Sequence, residues 1–295
     1  MGKPTISDLA KAAGVSVTTV SHAFSGRRHV DPETRKTIHA LAEQIGYHPS
    51  STARALRSGR TGTIALASSM PFEVAAGPSR LGFLMEIAAS AAMSALTRDL
   101  ALCLIPPHPS AQSYGTADFD GVILIEPMRD DPLVAHFEQR KTPIVSIGSV
   151  PGRPDIPAVD LQSFDTATLL LSHLAQTGCR QIAALVGASS RTSQIESVLA
   201  YDAFVTNHGG AVTLLRLDEA QGEDIAYHET LRLLRDNRDI DGIFAAIDAF
   251  ATGAVRAALA EDAIHLLLDR IEGKSRVVHA QLPDLIIRQS SVAVA

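Results

Sequence analysis

The chain has 295 residues, of which 46% are hydrophobic, and a net charge of −6. This length exceeds one ordinary domain and suits a small module joined to a larger one. No apolar run approaches the length that spans a membrane, and the polar start of the chain does not resemble a signal peptide. Cys103 and Cys179 are far apart in hydrophobic stretches, which favours buried thiols over a disulfide or a metal site. We therefore expect a cytoplasmic protein that contacts no membrane.

The charge is unevenly distributed along the chain. Residues 1–60 contain nine Lys and Arg and four Asp and Glu, so this segment carries +5 and the remainder carries −11. A basic segment on an acidic body is typical of a protein that contacts a polyanion with that segment alone. A solvated charged face is the alternative that composition leaves open.

The first 46 residues predict three short helices, over 5–13, 17–24 and 31–45. Each begins at a side chain that can accept a hydrogen bond from the first free backbone amides, namely Thr5, Ser16 and Asp31. Thr5 is followed three residues later by Asp8, the spacing of a capping box. The tight turn between the first two helices indicates a helix-turn-helix.

A helix-turn-helix places the outward side chains of its second helix in the major groove of DNA. Val20, Ala23 and Phe24 recur at helical spacing and predict the inward face of this helix. The opposite face carries short polar groups suited to base edges. The residues expected at the DNA in and around this headpiece are Thr5, Ser16, Val17, Thr18, Ser21, His22, Arg28 and His29.

Residues 5–66 resemble the lactose-repressor (LacI/GalR) family, through the stretches TISDLAKAAGVSVTTVSHAFSG and VDPETRKTIHALAEQIGYHPSSTARALRSGRTGTIAL. The resemblance implies a headpiece over 1–48, a hinge over 49–60 that folds into a helix on operator DNA, and a core over 61–295. It also implies that Leu56, beside Ala53 and Arg57, wedges into the minor groove. An apolar wedge that unstacks a base step agrees with this role, although a lone leucine on a basic linker more often packs on its own domain.

Two further points follow from the resemblance. His22 stands where the family usually has arginine, so we expect a different base preference at the position it reads. Operators for such headpieces are near-palindromes, which implies at least a homodimer. The apolar helix over 81–93 is the expected pairing surface, with burial against its own sheet as the alternative.

From Thr61 onward, short apolar strands alternate with amphipathic helices, the pattern of a parallel, doubly wound sheet. FDGVIL at 119–124 is echoed by IDGIFA at 240–245, which indicates two similar lobes. The fold class is therefore α/β, and the family implies a periplasmic-binding-protein type I-like core with lobes at about 61–159 and 160–260. Strands are predicted over 63–67, 101–105, 121–125, 143–147, 181–186, 212–217 and 242–246.

Ligands of open parallel sheets bind at the carboxyl ends of the strands. Carboxylates there suit polyols, because each oxygen can accept from adjacent hydroxyls. The resemblance assigns Asp160 and Asp248 to ligand hydroxyls in the cleft between the lobes, with a helix cap as the alternative role of Asp248. Ser197 replaces an arginine common in the family, which leaves the class of effector open. The expected effector-binding residues are Ser69, Glu126, Asp160, Ser193, Ser197, Asp248 and Phe250.

The chain departs from the family after Ala260. The family continues there into a further strand and a crossover, whereas this chain continues into a later helix and then LPDLIIRQSS, which resembles the final strand. The resemblance thus implies a missing piece near 260 and a segment 261–295 that crosses between the lobes. A gene deletion and an incomplete sequence are the two explanations. The unpaired backbone that a lost central strand would leave favours the second.

The function implied by the resemblance is sequence-specific transcription regulation. Most of the family represses, binds double-stranded operator DNA and responds to a small-molecule effector, here expected to be sugar-like or otherwise hydroxylated. The alternative is a solute-binding, receptor-like sensor without operator control, against which the basic headpiece argues. The motifs GxxxxGK[ST], GxSxG and HExxH are absent and the histidines lack metal-ligand spacing, so we expect no enzyme, no cofactor and no metal.

Overall fold

A computed structural model describes residues 4–26, 28–48, 60–75, 83–105 and 118–271. The chain divides into two compact units. The first comprises residues 1–165 and 189–196, and the second comprises 166–188 and 197–295. The short segment 189–196, which the predicted lobe boundaries assign to the second lobe, is therefore part of the first unit.

The headpiece consists of α1 (Ile6–Ala12), α2 (Val17–Ser25) and α3 (Pro32–Ile45), as the sequence predicts. α2 and α3 both end at a glycine in the left-handed conformation, which closes the last turn without a Cβ penalty. The helices enclose a small core of their own, built from Leu9, Ala10, Val20, Ala23, Ile38, Ala42 and Tyr47.

The predicted helix starts are confirmed by their hydrogen bonds. Thr5 donates its backbone amide to the Asp8 carboxylate at 2.8 Å and accepts the Asp8 amide on its hydroxyl at 3.3 Å, which completes the capping box. The Ser16 hydroxyl accepts the third amide of α2 at 3.0 Å. The Asp31 carboxylate does the same for α3, also at 3.0 Å, and Pro32 occupies the first helical position.

The strands of the first unit are β1 (Thr63–Ser68), β2 (Ala101–Ile105), β3 (Gly121–Ile125), β4 (Ile144–Ile147) and β5 (Ala158–Val159), and its helices after the headpiece are α4 (Phe72–Ala75), α5 (Phe83–Leu96) and α6 (Pro132–Gln139). The strands form a parallel sheet in the order β2-β1-β3-β4-β5. Both faces of the sheet are covered, which explains the nearly continuous apolar sequence of β1 and β3. One face packs on Phe137 of α6, and the other packs on Leu84 of α5.

The sequence left open whether the apolar helix α5 packs on its own sheet or forms a surface. The structure gives both answers for different faces. Leu84 and Ala88 are buried against the sheet, whereas Met85, Met93 and Leu96 are exposed. α5 therefore carries an exposed apolar face, which the described residues of its own unit do not cover.

The strands of the second unit are β6 (Ile182–Gly187), β7 (Leu214–Leu217) and β8 (Gly242–Ala245). Its helices are α9 (Gly222–Asp236), α10 (Asp248–Ile271), a 3-10 turn (Glu219–Gln221), and most of α7 (Ser163–Gln176) and α8 (Thr192–His208), whose first residues belong to the first unit. The strands form a parallel sheet in the order β7-β6-β8. β6 is buried along its whole length. One face of the sheet packs on Tyr201 and Phe204, and the other packs on Phe250 and Ala254.

The internal repeat predicted from the sequence is confirmed. β1, β2 and β3 pair in the same order as β6, β7 and β8. The echoed Asp-Gly pairs precede the equivalent strands β3 and β8, and their aspartates make equivalent bonds. Asp120 accepts the amides of Thr61 and Gly62 before β1, and Asp241 accepts the amides just before β6.

The missing piece predicted near residue 260 stays a prediction. α10 continues through Ala260 and Glu261 without a break. Within the described part of the second unit, no strand corresponds to β4 or β5 of the first. The cysteines differ from expectation, since Cys103 and Cys179 are half-buried free thiols rather than fully buried ones.

Candidate DNA-binding surface and effector site

The outward face of α2 is the candidate DNA-binding surface. Val17 is 43% exposed, Thr18 is exposed, and Ser21 and His22 are half-buried. The inward residues Val20 and Ala23 are buried in the headpiece core. This side of α2 therefore offers methyl groups, two hydroxyls and one imidazole, the groups that read base edges in a major groove.

The remaining predicted headpiece residues surround that face. Ser16 is exposed, but its hydroxyl already bonds Thr19 as the helix cap. Thr5 has a similar local role, because its hydroxyl donates to Asp8 at 2.7 Å. Arg28 and His29 are exposed in the loop between α2 and α3. The predicted hinge contacts Ala53, Leu56 and Arg57 lie outside the described residues.

The carboxyl end of the first sheet carries a buried acid, Glu126. It directly follows β3, is 6% exposed, and adopts a left-handed φ of 52°, which is strained for a side chain with a Cβ. Its backbone amide donates to Ile147 at 2.8 Å. A Cβ on Gly148 would lie 2.5 Å from the carboxylate, so the glycine provides the space in which Glu126 rests.

Two residues of the segment 189–196 contact this acid. The Ser193 hydroxyl donates to the Glu126 carboxylate in a short hydrogen bond, and the Nε of Arg191 lies 3.7 Å from the same oxygen. Arg191 is 1% exposed. The structure thus brings together the predicted residues Glu126 and Ser193 and adds a guanidinium that sequence reasoning missed.

Neighbouring hydroxyls of the same segment bind adjacent strand ends. Thr192 donates to the backbone oxygen of Ser149 at 2.8 Å and accepts from its hydroxyl at 3.1 Å. Ser190 accepts the amide of Arg129 at 3.1 Å. The carboxyl edge of the first sheet therefore carries several hydroxyls and one carboxylate, all of which can accept hydrogen bonds.

Burial controls the charge of this cluster. Desolvation raises the pKa of the Glu126 carboxyl, while the hydrogen bond from Ser193 and the charge of Arg191 act in the opposite direction. Desolvation also lowers the pKa of Arg191, opposed by the charges of Glu126 and Asp131. Each buried charge is thus offset by its neighbour, which allows both to lie away from water.

The other predicted effector residues lie in different surroundings. Ser69 follows β1, and its buried hydroxyl has no hydrogen-bond partner among the described residues. Asp160 is exposed and accepts the amide of Gln162 at 2.9 Å, the bond of a local turn. Its carboxylate therefore already has a structural use.

Three predicted residues belong to the second unit. Ser197 is 6% exposed, and Asp248 is exposed at the first residue of α10. Phe250 is placed differently from the expectation, because its ring is fully buried among Leu185 and Leu217 in the hydrophobic core. We therefore treat Phe250 as a packing residue. Its position in the sequence, shortly after the end of β8, does not reveal the direction of the ring.

Two grooves lie apart from these residues, along β7 and α9 of the second unit, with volumes of about 370 and 240 Å³. Within the described ranges, no His, Cys, Asp and Glu side chains are grouped in a way that would hold a metal ion. None of the described helices is long and apolar enough to cross a membrane.

Comparison with known proteins agrees with the headpiece geometry. Residues 5–50 match the family described as "Bacterial regulatory proteins, lacI family". The HTH-type transcriptional regulator CelR of Thermobifida fusca is 27% identical over 265 residues, which cover 86% of this chain and 76% of CelR.

Solved structures share the fold. The lac repressor dimer bound to operator and the anti-inducer ONPF has a TM-score of 0.72 at 22% identity, over 88% of this chain and 79% of that one. The complex of the transcriptional regulator CelR with cellobiose has a TM-score of 0.57 at 25% identity, over 88% and 78% of the two chains. The combination of headpiece and α/β core is therefore shared with regulators whose structures contain DNA or a sugar.

Proposed function

We propose that this chain is a DNA-binding transcription regulator of the LacI family, and that it acts as a cytoplasmic repressor whose affinity for operator DNA is set by a small hydroxylated effector. The observation that carries the DNA-binding part is the exposed polar face of α2 in a segment of charge +5. Phosphate neutralisation by the basic residues supplies affinity, and the α2 face supplies sequence preference. We propose no enzymatic activity.

The effector part rests on the cluster around Glu126. A buried carboxylate beside several hydroxyl-binding groups suits a ligand rich in hydroxyls. CelR is solved with cellobiose, which places sugars first among the compounds to test. The residues that we propose to bind the effector are Ser69, Glu126, Asp160 and Ser193 of the first unit, and Ser197 and Asp248 of the second.

The regulator is proposed to act as a homodimer. The exposed methionines and leucine of α5 provide an apolar face that a second copy would cover. A dimer also matches the two half-sites of a near-palindromic operator. Leu56 would then enter the minor groove once from each subunit.

The DNA-binding part can be tested with duplexes that the full chain selects from random-sequence DNA. We expect near-palindromic duplexes, and we expect Leu56→Ala to weaken binding to them by a few kcal/mol, roughly the cost of unstacking a base step without its wedge. Non-specific binding should persist, because phosphate contacts supply it. Failure to enrich any duplex would contradict the proposed function.

The effector part can be tested by thermal-shift measurements with cellobiose, other sugars, polyols and nucleosides. A compound that raises the melting temperature should also change the affinity for the selected duplex. Asp160→Ala should remove this response while leaving duplex affinity intact. Asp155→Ala, on the other side of the short strand β5 and bonded to Arg153, is the control. A normal response in the Asp160 variant would assign that carboxylate to the turn alone.

A further inference from the structure

Asp120 bonds the two residues that directly follow the hinge. One carboxylate oxygen accepts the Thr61 amide at 2.6 Å and the Thr61 hydroxyl at 3.0 Å, and the other accepts the Gly62 amide at 2.9 Å. A carboxylate that accepts three hydrogen bonds from adjacent residues fixes their position more firmly than neutral contacts do. The point where the hinge enters the core is thus tied to a side chain 59 positions later in the chain.

Backbone hydrogen bonds also hold the start of β1 to the strands on either side of it. The Asp120 amide donates to Thr63 at 2.8 Å, on the β3 side. The Gly62 carbonyl accepts the amide of Ala101 at 2.8 Å, on the β2 side. The start of β1 is therefore held between its two neighbouring strands, with the Asp120 carboxylate closing the end nearest the hinge.

The charge of Asp120 suits this role. Partial burial acts to raise its pKa, but the hydrogen bonds from Thr61 and Gly62 and the charge of Arg60 outweigh it, so the pKa lies below its ordinary value. Arg60 is the last residue of the predicted hinge. The Asp120 carboxylate therefore stays ionised at neutral pH. It attracts Arg60 at the end of the predicted hinge as well as the amides of Thr61 and Gly62 at the start of β1.

We propose that Asp120 is a positioning residue for operator recognition, which fixes the place and direction in which each hinge leaves the core. This inference rests on the proposed function, in which two hinges must meet on one operator. Non-specific binding makes no such demand, because phosphate contacts tolerate a displaced headpiece. Loss of the anchor should therefore reduce the preference for a specific duplex rather than the affinity for DNA in general.

The chain contains a matched control in its internal repeat. The Asp241 carboxylate accepts the amides of Arg180 and Gln181 at 2.8 to 2.9 Å, at the equivalent place before β6. Its chemistry and position in the repeat are those of Asp120, but no hinge precedes it. An anchor that serves only to start a strand should have the same effect in both places.

The test compares Asp120→Asn and Asp241→Asn in the full-length protein. Each new asparagine side chain keeps one acceptor oxygen but places its NH₂ group opposite a backbone N–H. Both variants should therefore lower the melting temperature to a similar extent. Binding is measured by gel shift to a near-palindromic duplex selected by the wild type and to bulk genomic DNA. We expect Asp120→Asn to weaken binding to the selected duplex by at least about fivefold, the lower end of coupling between sites. Its affinity for bulk DNA should stay unchanged, and Asp241→Asn should change neither.

Equal losses of binding to the selected duplex in the two variants, or no loss in Asp120→Asn, would overturn the proposal and leave Asp120 with a structural role at the start of β1 only. If Asp120→Asn does not fold, Thr61→Val provides the second variant. It removes the hydroxyl that bonds both Asp120 and the backbone of Thr63, and it keeps both amide bonds to Asp120. It should show the same selective loss, to a smaller extent, and equal loss on both DNAs would again overturn the proposal. A wild type that selects no duplex would contradict the proposed function itself, and this inference with it.

Discussion

The Nε of Arg191 lies 3.7 Å from a carboxylate oxygen of Glu126, and both side chains are almost completely buried. Removing one partner of such a pair leaves the other charge without compensation in a poorly hydrated site. We expect Arg191→Met to lower the free energy of unfolding by about 3–5 kcal/mol, measured by urea denaturation.

The double variant Arg191→Met, Glu126→Gln should lose much less free energy of unfolding than the sum of the losses of the two single variants, because neither charge is then left without its partner. Arg153→Met is the control, since Arg153 pairs with Glu138 and Asp155 at the surface and should contribute little. Additive losses at 126 and 191 would show that the two side chains do not act as a pair.

The raised pKa of Glu126 predicts an unusual dependence of stability on pH. Between its ordinary value of 4.5 and its raised value, the folded state binds more protons at this group than the unfolded state does. The contribution of Glu126 to stability therefore falls as the pH rises through that window and is constant above it. The free energy of unfolding of wild type minus that of Glu126→Gln should decrease across the window in urea titrations.

Glu138 provides a control of opposite sign. The hydrogen bond from Arg153 lowers its pKa, so its contribution to stability is lost as the pH falls. The corresponding difference for Glu138→Gln should rise with pH. A difference for Glu126→Gln that also rose with pH would contradict a raised pKa.

Gly148 should not tolerate a side chain, for a reason specific to the Glu126 cluster. Its φ is +79°, and an added Cβ would lie 2.5 Å from the Glu126 carboxylate. Gly178→Ala tests the backbone cost alone, because that glycine has a φ of +106° and no heavy atom within 4 Å of an added Cβ. We expect Gly178→Ala to cost about 1–3 kcal/mol and Gly148→Ala clearly more. Equal losses on thermal denaturation would show that Glu126 moves aside freely.

His22 is expected to influence the sequence that α2 reads. An imidazole makes one base contact where a guanidinium makes two, so His22→Arg should increase the preference for guanine at one position, worth about 1–3 kcal/mol. Selection from random-sequence DNA with each protein would measure it. His173→Arg adds the same charge to an exposed position of α7 and should leave the selected sequence unchanged. An identical consensus from wild type and His22→Arg would place His22 away from the bases.

The sequence alone determined the headpiece and most of the strands. The caps at Thr5, Ser16 and Asp31 act within three residues, so the pattern that predicts them is also the structure that forms. The strands over 101–105 and 121–125 were predicted to the residue, because each is a short, continuous apolar run. The repeated Asp-Gly pair revealed the two similar halves, because it stands at the start of the equivalent strands β3 and β8.

Only the tertiary structure decided which polar groups meet at the strand ends. Ser193 and Glu126 are 67 positions apart, and no local pattern marks Arg191 as the buried partner of that acid. The direction of Phe250 was equally hidden, since a residue that follows a strand end can face the ligand edge or the core. Such contacts depend on how whole elements pack, and the free energy of a buried charge is set by neighbours that the chain brings together only on folding.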